Sequence, residues 1–381
     1  LGFHEHNQVN YLNPASYSAI DSMTFILDAG ISGQVTNFNE NGVKKNANNS
    51  NLEYVVGGFR LLRHVGMSFG IIPFTNVGYD YSTSGYVNRE DKDVTYSNTY
   101  SGEGGLHQVY LGAGWSPVKG LAVGANIGYL WGSINKTVQN AYSNSYYKSL
   151  YRTYGTSVHN YKLDLGVQYT QKISKKDELT LGLTYTPGHN LHADADMNII
   201  SSNAQTSTSD TLAFSINNAY ELPTMIGAGL MWNHNHQWKV GFDYTLQKWG
   251  SLGYPTYSTN SSESWALRDG IYMDRSKFNL GFQYCYAENG RASFLKRVHY
   301  RAGVSYATPY YKVNGVDGPK EISVSAGFGI PIMNGYNNRS QLNISGQWVK
   351  SSAKDLIKEN SFRINIGFTF NEDWFKKWKM Q

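Results

Sequence analysis

Long apolar runs are missing from this chain. No stretch approaches the roughly 18 to 20 apolar residues that a membrane-crossing helix requires, so helical insertion is excluded. Charge is scarce too: Asp, Glu, Lys and Arg make up 16% of the residues, against roughly 25% in soluble domains. A single cysteine, Cys285, rules out an internal disulfide and is expected to serve packing, and no Cys/His spacing matches a zinc site. The formal net charge of +5 is spread through turns and links, which leaves no clustered Lys and Arg to grip nucleic acid. No Ser-His-Asp order, phosphate-cradling loop or His-Glu-x-x-His helix occurs. Neither an enzyme nor a cofactor-binding protein is therefore expected.

What the chain holds instead is 30 Tyr, 16 Phe, 9 Trp and 39 Gly among 381 residues. Aromatics suit a pleated surface, while glycine supplies turns and lets backbones crowd at a barrel interior. A mean hydropathy of −0.46 does not exclude a membrane barrel, whose strands show lipid only every second side chain. That two-residue period recurs along the sequence and is clearest near the end. Phe362, Ile364, Ile366, Phe368 and Phe370 alternate with Arg363, Asn365, Gly367 and Thr369. One face fits lipid and the other a wet or tightly packed lumen. This run is read as the closing strand, the terminal segment that barrel-insertion machinery would handle during biogenesis. Similar splits occur in 121–131, 161–169, 238–246 and 322–330.

Connections decide between a barrel and a soluble sandwich. Short links at 63–64, 116–119, 174–177 and 234–237, with somewhat longer ones at 288–296 and 333–339, alternate with long polar links at 39–51, 84–97, 138–157, 188–210, 251–266 and 351–360. Outer-membrane barrels treat their two rims this way, and a sandwich does not. The rhythm predicts an all-β transmembrane antiparallel barrel of about 14 strands over residues 22–370, with both termini periplasmic. Residues 211–233 are read as one long strand, kinked at Leu222-Pro223. Trp115, Trp131, Trp232, Trp238, Trp249 and Trp348 fall near strand ends, as in an interfacial girdle. A start at Leu1 without a basic-then-apolar leader is what a processed exported protein would give.

Residues 1–38 do not alternate from the start. Asn13-Pro14-Ala15-Ser16, then Ala19-Ile20-Asp21 ahead of the first alternating run, resembles the Asn-Pro-Ala motif of the FadL-type family of hydrophobic-compound transporters. Leu222-Pro223 and the ending Phe370-Asn371-Glu372-Asp373-Trp374-Phe375 with its basic tail resemble that family as well. The resemblance implies a 14-stranded barrel with an N-terminal hatch in its lumen and a side door made by an inward kink in the third strand. Pro73, Phe74 and Gly78 fall at about that position. The segment ahead of Asn13 is shorter than the family norm, and the basic tail runs past the usual terminal aromatic. The residues carry their own reading: Pro14 fixes a turn, Asn13 is biased away from helix, and the segment either threads the lumen or hangs below it. Pro73 cannot donate a ladder hydrogen bond, which fits either a gap in the wall or a bulge without function.

The expected organisation is a hatch segment at 1–21, a barrel at 22–370 and a periplasmic basic, aromatic tail at 371–381. The expected function is passive uptake of a small hydrophobic molecule through the plugged lumen, with exit at strand three. The alternative is a non-transporting barrel subunit of an outer-membrane assembly, docking protein partners through its loops or tail. An aqueous porin ranks third. Expected partners are outer-membrane lipid, a hydrophobic small molecule or detergent in the lumen, and outer-membrane proteins. His234 and His236 around a turn, and Asp194 and Asp196 in a long link, are weak metal candidates better read as solvent-facing loop residues.

Overall fold

The computed structural model describes residues 1–40, 43–88, 93–258, 264–287, 292–313, 315–332, 340–353 and 358–373. Fourteen antiparallel strands close into a barrel. They are β1 (Thr24–Glu40), β2 (Val43–Leu62), β3 (Val65–Tyr86), β4 (Thr95–Val118), β5 (Leu121–Tyr142), β6 (Ser149–Lys172) and β7 (Asp177–Thr186). The second half is β8 (Thr224–His234), β9 (Trp238–Lys248), β10 (Arg275–Tyr284), β11 (His299–Ala307), β12 (Lys320–Ile332), β13 (Ser340–Ser352) and β14 (Lys358–Asp373). Each pairs with its sequence neighbours, and β14 closes the ring on β1 from Thr24↔Asp373 to Asn39↔Lys358. Closure removes the free edge that an open sheet would expose. The even strand number brings Thr24 and Asp373 to the same rim, which also carries the tight turns at 63–64 and 119–120.

The alternation sorts as the physics requires. Phe362, Ile364, Ile366, Phe368 and Phe370 point outward and are exposed, while Thr369 and Asn371 are buried inside. Around the wall, Leu111, Ile127, Leu165, Leu183 and Phe242 continue an outward apolar band of the kind lipid would cover. Trp115, Trp232, Trp238 and Trp348 are exposed near strand ends. Trp249 departs from that girdle, because it follows the last residue of β9 and turns against the Tyr272 and Tyr310 rings, at 5.4 and 5.5 Å.

Two differences from the sequence reading matter. Several expected links are strand: β1 and β2 run to Glu40 and from Val43, and β5 and β6 reach Tyr142 and Ser149. Backbone pairing does not need an apolar face, so polar residues extend the wall where the alternation fades. Residues 211–233, in contrast, are not one kinked strand. Ala195–Asn203 and Thr208–Ile216 form a hairpin that pairs with Ser149–Gly155 of β6, and Glu221–Leu222 pairs with His189–Asn190. The wall strand begins only at Thr224, so Leu222-Pro223 marks an entry where a missing amide disturbs no continuous ladder.

The β2–β3 ladder is short. It holds Val55–Leu62 against Val65–Ile71, after which β2 continues paired to β1 and β3 continues paired to β4. Among the described residues no backbone pair joins Val43–Tyr54 to Ile72–Tyr86; two polar contacts bridge this seam, Asn76 Nδ2 to Asn51 Oδ1 at 2.6 Å and Lys45 Nζ to the Ser82 carbonyl at 3.4 Å.

Candidate functional site

The segment ahead of β1 is built onto the inner wall from its own chemistry. Pro14–Ala19 is a 3₁₀ turn whose N-cap, Asn13, accepts a hydrogen bond from the Ala15 amide at 3.2 Å. The Asn13 amide nitrogen also donates to the Leu1 carbonyl at 3.0 Å and the Val167 carbonyl at 3.3 Å, so a fully buried polar side chain is satisfied. Inward-facing glycines make room: a Cβ at Gly114 or Gly124 would stand 2.5 Å from the Pro14 carbonyl oxygen. Tyr17 donates to Asn126 Oδ1 at 3.0 Å, and Arg60 Nη2 donates to the Ser18 carbonyl at 2.9 Å. Tyr17 and Ile20 pack with Ile26, Val56 and Tyr110. The glycine spacing was visible in the sequence, but what it accommodates was not.

A second apolar cluster joins Leu106, Leu130 and Val158 of the wall to Leu191, Ala193 and Leu222 of the β7–β8 connection. Phe74 packs against it because β3 bulges there. Pro73 pairs with His107 and Thr75 with Leu106, leaving Phe74 as the extra residue, while the Leu106 amide donates to Thr75 Oγ1 at 3.1 Å. An extra residue re-aims its side chain and loosens the ladder. The distortion reaches the next two strands, where Gly132 has φ +143° and backs directly onto the Gly105 carbonyl. Gly78 lies further up β3, with nothing within 4 Å of an added Cβ.

Beside this cluster lies a cavity of about 660 Å³, bounded by Phe74 and Tyr79 of β3, Ile134 of β5, and Tyr220, Trp249 and Tyr254 from the connections. Its rings are ordered among themselves: Tyr254 and Tyr272 meet edge to face at 5.5 Å, and Trp265 donates to the Ala195 carbonyl at 2.9 Å, tying one loop hairpin to the other. Burial pushes the Tyr220 hydroxyl up to about 12 and raises Tyr254 and Tyr272 as well. The chamber thus presents neutral phenols and aromatic faces at neutral pH, beside the charged residues Lys136, Arg152, Asp196 and Glu221. Its walls combine apolar rings with a few polar and charged groups, as small-molecule sites do.

The structure brings Pro73, Phe74 and Leu222 to this chamber or its edge. Asn13, Pro14 and Ala15 sit in the separate cluster near β4–β6, and Phe362 to Phe370 face outward on the wall. The sequence reading missed Leu106, Leu130 and Leu191, which lie on different elements and share no local period. Trp249, Tyr254, Tyr272 and Tyr310 escaped it as well; an unusual density of aromatics in polar links was their only signal. The weak metal candidates are otherwise engaged: Asp194 caps the Asn218 amide, Asp196 accepts from Ser215, and His234 pairs with Asp177 at 2.7 Å. Among the described residues no group of His, Cys, Asp and Glu is arranged to hold a metal. Cys285 is buried. The basic tail from Trp374 lies outside the described residues.

The BamG family model matches residues 3–381. The chain belongs to the BamG family. Its fold is that of the FadL-type barrels. The structure of the toluene transporter TodX of Pseudomonas putida matches with a TM-score of 0.65 at 14% identity, covering 95% of this chain and 92% of that one. The toluene transporter TbuX of Ralstonia pickettii matches with a TM-score of 0.59 at 15% identity, over 94% and 91%. A FadL homologue of Pseudomonas aeruginosa gives 0.62 at 10% identity, over 96% and 93%. No curated protein matches the chain.

Proposed function

We propose that this protein is an outer-membrane channel for passive uptake of small hydrophobic molecules. The observation that carries the reading is the aromatic chamber meeting the Phe74 bulge beside the β2–β3 seam. In this account the long loops capture a hydrophobic molecule from outside, the chamber desolvates it, and residues 1–21 act as a hatch that closes the direct path below. The seam, where no backbone pair joins β2 to β3 among the described residues, is the lateral way out into the lipid. A monoaromatic ring burying about 150 Å² would gain on the order of 4 kcal/mol, roughly millimolar binding, strong enough to enter and weak enough to leave. No bond is made or broken. The toluene transporters that share the fold support this substrate class.

Filling the chamber tests the proposal. Leu106→Trp places an indole ring into the space beside Phe74, and uptake of labelled toluene or fatty acid by cells carrying it should fall while the barrel stays heat-modifiable on gels. Wild-type uptake with the chamber filled would remove the chamber from the route. A second reading, a non-transporting subunit of an outer-membrane assembly, is favoured by the family match, whose BamG description hints at barrel-assembly partners. Under it, purification in mild detergent would recover a stoichiometric protein partner, and Leu106→Trp would leave the phenotype of the cell unchanged.

A further inference from the structure

The loop rim carries a strand that is paired on one side only. Ala195–Asn203 extends the wall sheet beside Ser149–Gly155 of β6, and Thr208–Ile216 folds back on it in unbroken register, from Thr208↔Asn203 to Ile216↔Ala195. Among the described residues the outer side of Thr208–Ile216 has no backbone partner, because it ends the sheet. The ring itself closes lower down, where β6 pairs with β7 between Leu165 and Lys172. This edge therefore lies outside the closure that protects the wall strands.

The edge is about 30 Å long at roughly 3.3 Å per residue, and about four of its amides and as many carbonyls point outward. Nothing blunts it. Thr-Ser-Asp-Thr-Leu-Ala-Phe-Ser-Ile holds no Lys, Pro or Gly, and its register has no bulge; those are the devices by which exposed edges refuse a neighbour. One face of the hairpin is already an ordered apolar surface. Ala195, Met197 and Ile199 are buried, Phe214 meets the Tyr257 ring at 5.9 Å, and Trp265 lies 5.8 Å from Tyr154 while donating to the Ala195 carbonyl. That face runs out at Leu212, which is 40% exposed on the outer strand. Asp210, the only charge on the strand, is exposed beside it.

We propose that Thr208–Ile216 is a docking edge that takes one extended segment of a different surface-exposed protein as an added antiparallel strand. The segment carries apolar residues at alternate positions, continuing the Leu212 and Phe214 face, and a basic residue within reach of Asp210. A second copy of this chain does not fit. The hairpin continues the β6 ladder and shares its inclination, roughly 40° from the membrane normal. A two-fold axis along that normal makes two such edges cross at about 80°, far from antiparallel. Docking here rests on neither reading of the chamber, since the edge lies outside the lumen.

Hydrogen exchange by mass spectrometry on the full-length chain tests the edge, first in native outer membranes and then after purification to the single chain. In native membranes, peptides covering Thr208–Ile216 should hold about four more protected amides, each exchanging about 100-fold more slowly than in the purified protein. A synthetic peptide of the Ala195–Asn203 sequence with Ser201→Lys, which offers alternating apolar residues and a base for Asp210, should restore that protection to the purified chain; a scrambled peptide should not. Asp210→Lys with Leu212→Lys sets two cations on the edge and should abolish the extra protection in membranes. Should that variant lose its heat-modifiable barrel, Asp210→Lys alone replaces it. Equal exchange in membranes and in the purified chain would overturn the proposal, as would failure of the peptide to protect the edge. Protection that survives in the folded variant would mean that something other than a paired strand covers it. A disulfide-linked dimer of Ser209→Cys in native membranes would make the occupant a second copy and overturn the proposal as well.

Discussion

Removing one amide group should release the N-terminal segment from the wall. Asn13 caps the Pro14–Ala19 turn and donates to carbonyls of residue 1 and of β6. In Asn13→Ala the lost cap costs about 1 kcal/mol. The buried partners left without a donor add about 1 to 2 kcal/mol, because no water reaches a fully buried site without rearrangement. A total of about 2 to 3 kcal/mol corresponds to an opening equilibrium shifted roughly 30- to 150-fold. Hydrogen exchange by mass spectrometry reads this directly. Peptides covering residues 3–20 should exchange faster by that factor, while peptides from β13 and β14, far from the cap and closed by their own ladders, should keep wild-type protection. Unchanged exchange in the N-terminal peptide would show that Asn13 does not hold the segment. Uniformly faster exchange everywhere would mean that the variant loosens the barrel itself.

Three further outcomes are expected. Ile366 faces outward between Ile31 and Ile344, so Ile366→Arg should cost about 2 to 4 kcal/mol if it lies near the bilayer midplane, and Asn365→Arg on the inner face should cost less; urea unfolding in lipid vesicles compares them, and equal losses would mean the register is wrong by one residue. Gly124→Val should collide with the Pro14 carbonyl and expose the N-terminal segment to protease, whereas Gly33→Val, with no atom within 4 Å of the added Cβ, should leave it protected. The chamber tyrosines have raised folded-state values, so their contribution to stability is complete below about pH 10. It is lost as pH climbs through the folded value, about 12 for Tyr220. Ultraviolet titration should find a late-ionising set that Tyr220→Phe diminishes, and loss of loop packing should accompany its ionisation.

The sequence revealed the wall better than the rooms inside it. In β14 the two faces differ so sharply that period, direction and closure were all legible. The upper parts of β5 and β6 carry Tyr, Asn, Ser and Thr on both faces, so pairing persisted without any alternation to report it. Residues 211–233 misled for the reverse reason. Thr208–Ile216 is a strand by local preference, but its partner is the loop strand Ala195–Asn203, a pairing that local pattern does not encode. Asn13-Pro14-Ala15 announced a turn through its own chemistry, and Pro73 announced an interrupted ladder. That Phe74, not Pro73, is the displaced residue follows from the register with β4, which only the folded wall defines. The chamber was least legible, because its lining is gathered from wall strands and from loops far apart in sequence.

Joining the seam tests the central claim of lateral uptake most directly. Asn51 and Asn76 already touch across it at 2.6 Å, so Asn51→Cys with Asn76→Cys can be bridged by a short bis-alkylating reagent, Cys285 being buried and out of reach. The measurement is uptake of labelled toluene by the same cells before and after bridging, with each single-cysteine variant treated alike. The account predicts that uptake drops sharply in the bridged double variant alone, while the chamber still binds its probe in the purified protein. Undiminished uptake through a bridged seam would contradict it.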